Sequence, residues 1–278
     1  IMVYADLHCH SNYSDGVHSL EEVFRFQSER GTKVVAITDH DTVFHFQNIK
    51  QAASQYGIKT INGVEMSCYD NDVFKKVHIV GLFINDNAEN VKQLCDKTLL
   101  ARDNYHRKLI EILNQKGLDI NYQQAKKFSP HNIVFKMHLF MAIVEKYPEY
   151  MNMEKYRELF AGKTSKDVDS QMGYIDVKEG IQAIHKDGGI AILAHPCEYN
   201  NYDEIDKYVS FKLDGIEISH PLMKQKDYQL VKQYIDKYHL LASGGSDFHN
   251  MAMQNDFIGN YGLTQEQFEA IQSRKYIK

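Results

Sequence analysis

The run MVYADLHCHSNYSDG (residues 2–16) starts as a short apolar segment and turns polar where it ends. Residues 2–8 read as a β-strand. His8 and His10 close that strand, and Asp15 lies in the loop just beyond it. Side chains i and i+2 of an extended strand share a face, so His8 and His10 point together while Cys9 points away. Working outward, six further segments have the same character: 34–38 (VVAIT), 58–65 (IKTINGVE), 77–83 (VHIVGLF), 190–194 (IAILA), 215–219 (GIEIS) and 240–244 (LLASG). Helical patterns separate most of them. Ser19 with Glu22, Asp176 with Glu179 and Thr264 with Gln267 have the spacing of helix-capping pairs.

Strands alternating with helices predict an α/β chain with a parallel sheet and right-handed crossovers. Seven such strands favour a closed, TIM-like β/α barrel over an open sheet. The interval 86–175 breaks the alternation. Its apolar residues recur at helical spacing over 88–116, and 137–147 is strongly apolar. We therefore expect a barrel built from 1–85 and 176–278, with 86–175 a helical insertion after strand four that caps one end. Such caps commonly serve as lids.

Polar side chains gather where these strands end. His40 follows the second strand, Glu65 ends the third, and His78 lies within the fourth. His195 ends the fifth, His220 the sixth, and Asp247 and His249 the seventh. The carboxyl ends of barrel strands converge on one mouth, so this placement predicts a site. Imidazoles with carboxylates are the donor set of zinc, manganese and iron centres. Six histidines (8, 10, 40, 78, 195, 249) and three carboxylates (15, 65, 247) exceed what one ion needs, so a multinuclear cluster is expected. A hydrogen-bonded network is the alternative.

Composition narrows the function. The 278 residues are 43% hydrophobic and 25% charged, the profile of a soluble globular chain. No window has the roughly 18 apolar residues of a membrane helix, and no secretory leader is apparent. Net charge is −5, which disfavours bulk attraction to nucleic acid, so a polyanionic ligand needs a local cationic site. The four cysteines (9, 68, 95, 197) form no CxxC pair, which predicts free thiols and a cytoplasmic protein.

Six motifs, DLHCHSNYSDG (6–16), ITDHDTV (37–43), GVEMS (63–67), VHIVGL (77–82), AHP (194–196) and GSDFH (245–249), give the chain a resemblance. It resembles the PHP (polymerase and histidinol phosphatase) family of metal-dependent phosphoesterases. The resemblance implies a distorted seven-stranded β/α barrel and three divalent ions, manganese, zinc, iron or magnesium. By it, His8, His10, Glu65 and Asp247 hold one ion, and Asp15, His40 and His249 a second. Glu65, bridging, with His78 and His195 holds the third.

Within that family the chain is similar to compact members with a helical insert, which act on nucleoside 3′,5′-bisphosphates, nucleoside monophosphates or the 5′ ends of short RNAs. In the matching segment 133–147, Lys136 and Met141 stand where those members carry arginines, and His138 is kept. A lysine supplies a point charge without the guanidinium fork.

The resemblance thus implies hydrolysis of a phosphomonoester, with a metal-bridging hydroxide as nucleophile. Asp247 and His8 are the expected catalytic ligands. Lys136, His138 and His220 are expected at the substrate, and His220 is also a candidate general acid. Arg102 and Arg107 read as a charged outer helix face, and Asp39 or Asp41 as a group orienting a ligand. The expected partner is a small phosphorylated molecule, a nucleotide or short oligonucleotide, with no obligatory protein partner. Histidinol-phosphate phosphatase and a non-catalytic metal-binding module are the competing readings. An amidohydrolase-type enzyme ranks lower, since no lysine ends the fourth strand.

Overall fold

The computed structural model describes residues 2–160, 172–252 and 257–275. Its strands form two sheets. In the first, β1 (Ala5–Cys9), β2 (Val34–Ile37) and β3 (Lys59–Thr60) are parallel. The second contains β4 (Gly63–Asp70), β5 (Lys75–Leu82), β6 (Ile175–Asp176), β7 (Ile190–Leu193), β8 (Gly215–Ser219) and β9 (Leu241–Gly244), in the order β6-β4-β5-β7-β8-β9. Isolated bridges join the sheets twice: Cys9 with Phe248 just after β9, and His40 just after β2 with Glu65 of β4.

The α/β class stands, but the sheet is not uniformly parallel. β5 runs antiparallel to both β4 and β7. Only four residues, 71–74, connect β4 to β5, and a parallel crossover needs a dozen or more. The segment 58–65 also proves to be two elements. β3 ends at Thr60, and Glu65 sits early in the eight-residue β4 rather than at a strand end. The reversal explains His78. It pairs with Ser67, so the early part of β5 lies beside the site although the chain runs the opposite way.

Alternate residues separate the two faces of each strand. Val34, Ala36, Val80, Leu82, Ile190 and Ile192 share one buried cluster, while Val35, Ile37, Val77, Ile79, Ala191 and Leu193 belong to another. The second cluster takes in the apolar faces of α1 (Leu20–Glu29) and α2 (Phe46–Gln55), and of α7 (Val177–Lys186). All three expected caps are present. Ser19 and Glu22 cap α1 reciprocally, and Asp176 accepts from Lys178 N and Glu179 N at the start of α7. Thr264 and Gln267 exchange bonds at the start of α11 (Gln265–Lys275).

Between β5 and β6 the described residues include the helices α3 (Glu89–Gln115), α4 (Tyr122–Lys126), α5 (Lys136–Lys146) and α6 (Met153–Phe160). These helices carry an apolar cluster of their own, including Tyr105, Leu109, Leu113, Leu139, Phe140 and Ile143. Two short helices, α8 (Pro196–Tyr199) and α9 (Ile205–Ser210), follow β7, and α10 (Gln225–Tyr238) precedes β9. Among the described residues, no helix is long and apolar enough to cross a membrane.

Candidate metal centre

The side chains expected at the strand ends converge. His8 Nε2 lies 3.2 Å from His10 Nε2, and each nitrogen is 3.2 Å from Glu65 Oε2. Asp247 Oδ1 closes this group at 3.3 Å from His8 Nε2 and 3.2 Å from His10 Nε2. A second group forms around Asp15, whose Oδ1 is 3.2 Å from His249 Nε2 and whose Oδ2 is 3.5 Å from His40 Nε2. Glu65 connects to a third. Its Oε1 accepts from His78 Nδ1 and His195 Nε2, each at 2.8 Å, while Oε2 faces His40 Nδ1 at 3.3 Å.

Among the described residues, three sets of donor atoms are therefore compact enough to hold an ion: His8, His10, Glu65 and Asp247; His10, Asp15, His40 and His249; and His40, Glu65 and His78. The donor chemistry fits divalent metal. Two ring nitrogens that face each other at 3.2 Å share the same carboxylate oxygens, and buried His40 Nδ1 makes no hydrogen bond. Divalent cations held by these separate sets would satisfy those lone pairs.

The electrostatics agree. Burial opposes the charge on Glu65, yet the rings of His40, His8 and His78 hold it well below the usual carboxylate range. Asp15 and Asp247 are also well below it, each against burial, chiefly through His249 for the first and His8 for the second. The imidazoles divide. Burial pulls His40 down to about 4. For His195 and His249 burial is outweighed, by the Glu65 bond in one and the Asp15 charge in the other, which lift them to about 9 and about 10. A protonated imidazole cannot bind metal, so an incoming ion displaces these protons.

Backbone strain marks the same region. Asp41, His195 and Asp247 have φ of 51°, 21° and 47°, unusual for residues with side chains. Each follows β2, β7 or β9, at the point where the chain leaves a sheet and turns over the cluster.

Two cavities open on the cluster. One of about 290 Å³ is lined by Asp15, His40 and His78 together with the cationic Lys76, Arg102 and Lys136. The other, of about 310 Å³, is lined by Asp247, His249 and His220 together with Met137, Met153, Leu222 and Phe257. His220 is buried, with Nε2 3.1 Å from Asp247 Oδ2 and Nδ1 accepting from Leu222 N.

The remaining sequence expectations divide. Lys136, the first residue of α5, lines the cationic cavity. His138 lines neither cavity. Its Nε2 donates to Asn12 O at 3.0 Å and its Nδ1 accepts from Phe135 N at 3.1 Å, so both nitrogens are committed within the protein. Helix periodicity could not reveal that partner, which lies in the Asp15 loop. Met141 packs at the margin of the insertion's apolar cluster.

Arg102 is no outer-face residue. Its Nη2 donates to Asp41 Oδ2 at 2.8 Å and Ser67 Oγ at 2.9 Å, and its side chain is 11% exposed. Arg107 does lie outside, paired with Asp103. Asp39 accepts from Ser11, Ser14 and His45 and shapes the Asp15 loop. Asp41 secures Ser67 N as well as Arg102. Sequence reasoning missed Glu217 altogether, although the alternation in GIEIS puts it on the face opposite buried Ile216.

A chain with these convergent imidazoles and carboxylates on an α/β frame is of the metal-dependent phosphoester hydrolase class. The model of the PHP domain matches residues 6–274, and the protein belongs to that family. It is 32% identical to a phosphoribosyl 1,2-cyclic phosphate 1,2-diphosphodiesterase of Eggerthella lenta, over 88% of this chain and 93% of that one. It is 29% identical to a 5′-3′ exoribonuclease of Haemophilus influenzae (88% and 89% covered). Identity to a 3′,5′-nucleoside bisphosphate phosphatase of Chromobacterium violaceum is 27% (89% and 88%). The fold matches that of a protein from Bifidobacterium adolescentis described as a metal-dependent phosphoesterase, with a TM-score of 0.83, 23% identity, and 97% and 96% of the chains covered.

Proposed function

We propose that this protein hydrolyses phosphomonoesters of nucleotides, namely a nucleoside 3′,5′-bisphosphate, a nucleoside monophosphate or a short 5′-phosphorylated RNA. The observation that carries the reading is the buried convergence of His8, His10, Glu65 and Asp247 beside a cavity lined by three cationic side chains. In this reading the seven longer strands of the two bridged sheets, β1, β2, β4, β5, β7, β8 and β9, make one distorted seven-stranded barrel of residues 1–85 and 176–278, capped by 86–175. Three divalent ions share the nine ligands named from the sequence, in a cytoplasmic enzyme. The buried Cys9, Cys68 and Cys95 suit a reducing compartment.

Bound divalent ions supply Lewis acidity, lowering the pKa of water and neutralising phosphate charge. The chain's own groups do the rest. Lys136, Arg102 and Lys76 offer positive charge to phosphate oxygens from one side. His220 lines the other cavity, with Nδ1 accepting from Leu222 N and its proton on Nε2, shared with Asp247; in this reading that proton passes to the departing alkoxide. His138 acts from behind, fixing the loop that carries Asp15.

Phosphate release with manganese tests this. The substrates are adenosine 3′,5′-bisphosphate, 5′-AMP, a short 5′-phosphorylated RNA and histidinol phosphate, with a chelator control. The similarity to the Eggerthella lenta enzyme adds a phosphoribosyl cyclic phosphate, whose ring opening frees no phosphate and is followed by phosphorus NMR instead. Chelator-sensitive release from a nucleotide is expected. Exclusive turnover of histidinol phosphate or of the cyclic phosphate would move the substrate to that class. Inactivity on all five with manganese bound would leave a binding module.

A further inference from the structure

We infer that Glu217 is a positioning residue that holds two metal ligands, His8 and His195, in ligating form. The inference rests on the reading of these histidines as ligands. Glu217 is 1% exposed and stands on β8, between the strand-end positions of both histidines. Oε1 accepts from His8 Nδ1 at 2.7 Å, and Oε2 accepts from the backbone N–H of His195 at 2.8 Å.

Each bond has a consequence at the cluster. With Nδ1 committed to Glu217, Nε2 is the His8 nitrogen left to face an ion, and it is the atom within 3.3 Å of His10, Glu65 and Asp247. The second bond fixes the peptide of a residue held at φ 21°, where a side-chain-bearing residue does not rest unaided. That peptide aims the His195 ring so that Nε2 reaches Glu65 at 2.8 Å. One carboxylate thereby sets which nitrogen of one ligand faces the cluster and the direction of another, the two meeting different oxygens of Glu65. Carboxylates behind ligating histidines commonly act in this manner.

The geometry singles out Glu217→Gln as the informative change. An amide of the same shape has one acceptor where the carboxylate has two. With oxygen toward His8, its NH₂ meets the His195 N–H, donor against donor. With oxygen toward His195, its NH₂ forces His8 to accept at Nδ1 and to carry its proton on Nε2, against the ion.

The test measures metal binding rather than turnover. Manganese affinity and content per chain are determined by equilibrium dialysis of wild type and Glu217→Gln, with circular dichroism and thermal melting of both in chelator. The expected result is a 10- to 100-fold weaker manganese affinity, the range typical for such partners, with metal-free spectra and melting unchanged. Glu217→Asp, which keeps two acceptor oxygens, recovers part of the affinity. Manganese binding equal to wild type in Glu217→Gln would overturn the inference. So would a metal-free Glu217→Gln chain that fails to fold, since the residue would then be supporting the fold. Wild type that binds no manganese would instead refute the metal-dependent reading itself.

Discussion

Asp247 Oδ2 lies 3.1 Å from His220 Nε2, while the other oxygen of the same carboxylate faces His8 and His10. One side chain thus joins the deepest donor group to the wall of the less polar cavity. Asp247→Ala removes both links. Phosphatase activity in manganese should fall well beyond the roughly 10–100-fold typical of a group one step removed from an ion. His220→Ala should lower kcat while leaving manganese content intact. Loss of bound manganese in His220→Ala would show that it acts on the ligands instead.

Bound metal should also stabilise the fold, because the donor groups converge only in the native chain. At free manganese a hundredfold above its dissociation constant the expected gain is about 2.7 kcal/mol. Thermal melts with manganese and with chelator measure it. Identical melting temperatures would argue against a preformed site.

Arg102 and Asp41 form a pair in which the carboxylate is fully buried. Arg102→Ala leaves that charge without its partner, at a cost of about 3–5 kcal/mol. Urea denaturation of the metal-free protein reports this without interference from binding. Arg102→Lys keeps the charge but loses the planar guanidinium that lies over the Phe135 ring, so its stability should fall between wild type and Arg102→Ala.

His138 gives a pH dependence of definite sign. Burial holds its imidazole down to about 4, below the ordinary histidine value near 6.5. Between these values the unfolded chain binds the proton and the folded chain does not, so stability drops as pH falls through that window. It is fully present above about 6.5. His138→Gln should therefore lose less stability than wild type between pH 7 and pH 5 in chelator. A steeper acid loss in the variant would contradict this.

Gly245 lies under β1. A Cβ there would stand 2.4 Å from His8 N and 2.6 Å from His8 Cβ. Gly245→Ala should cost about 1–3 kcal/mol through overpacking. It should also reduce manganese content, because the atoms it displaces belong to a ligand.

The α/β class, the helix caps and the nine clustered side chains were legible in the sequence because they depend on short-range pattern. His8 lies in β1 with His10 just past its end, and Ser19 reaches its cap partner within one turn. What escaped was long-range or directional. The reversal of β5 depends on the four-residue connection after Asp70, which the apolar run around His78 does not register. Arg102 looked like a solvent-facing charge because its partner Asp41 is 61 positions away. Glu217 sat unnoticed in a run of β-branched residues, since nothing local distinguishes a ligand's anchor from an ordinary strand polar group.

The insertion helices pack on their own apolar cluster and meet the Asp15 loop through His138 and His131, whose rings bond to Asn12 O and Tyr13 O. For protein engineering this arrangement separates two tasks. Side chains on the rim, such as Lys136, Tyr156 and Arg157, can be randomised to retune which ester is accepted. The two histidine struts and the metal-facing residues stay constant through such a library. Selection on substrate then proceeds without re-solving the chemistry beneath.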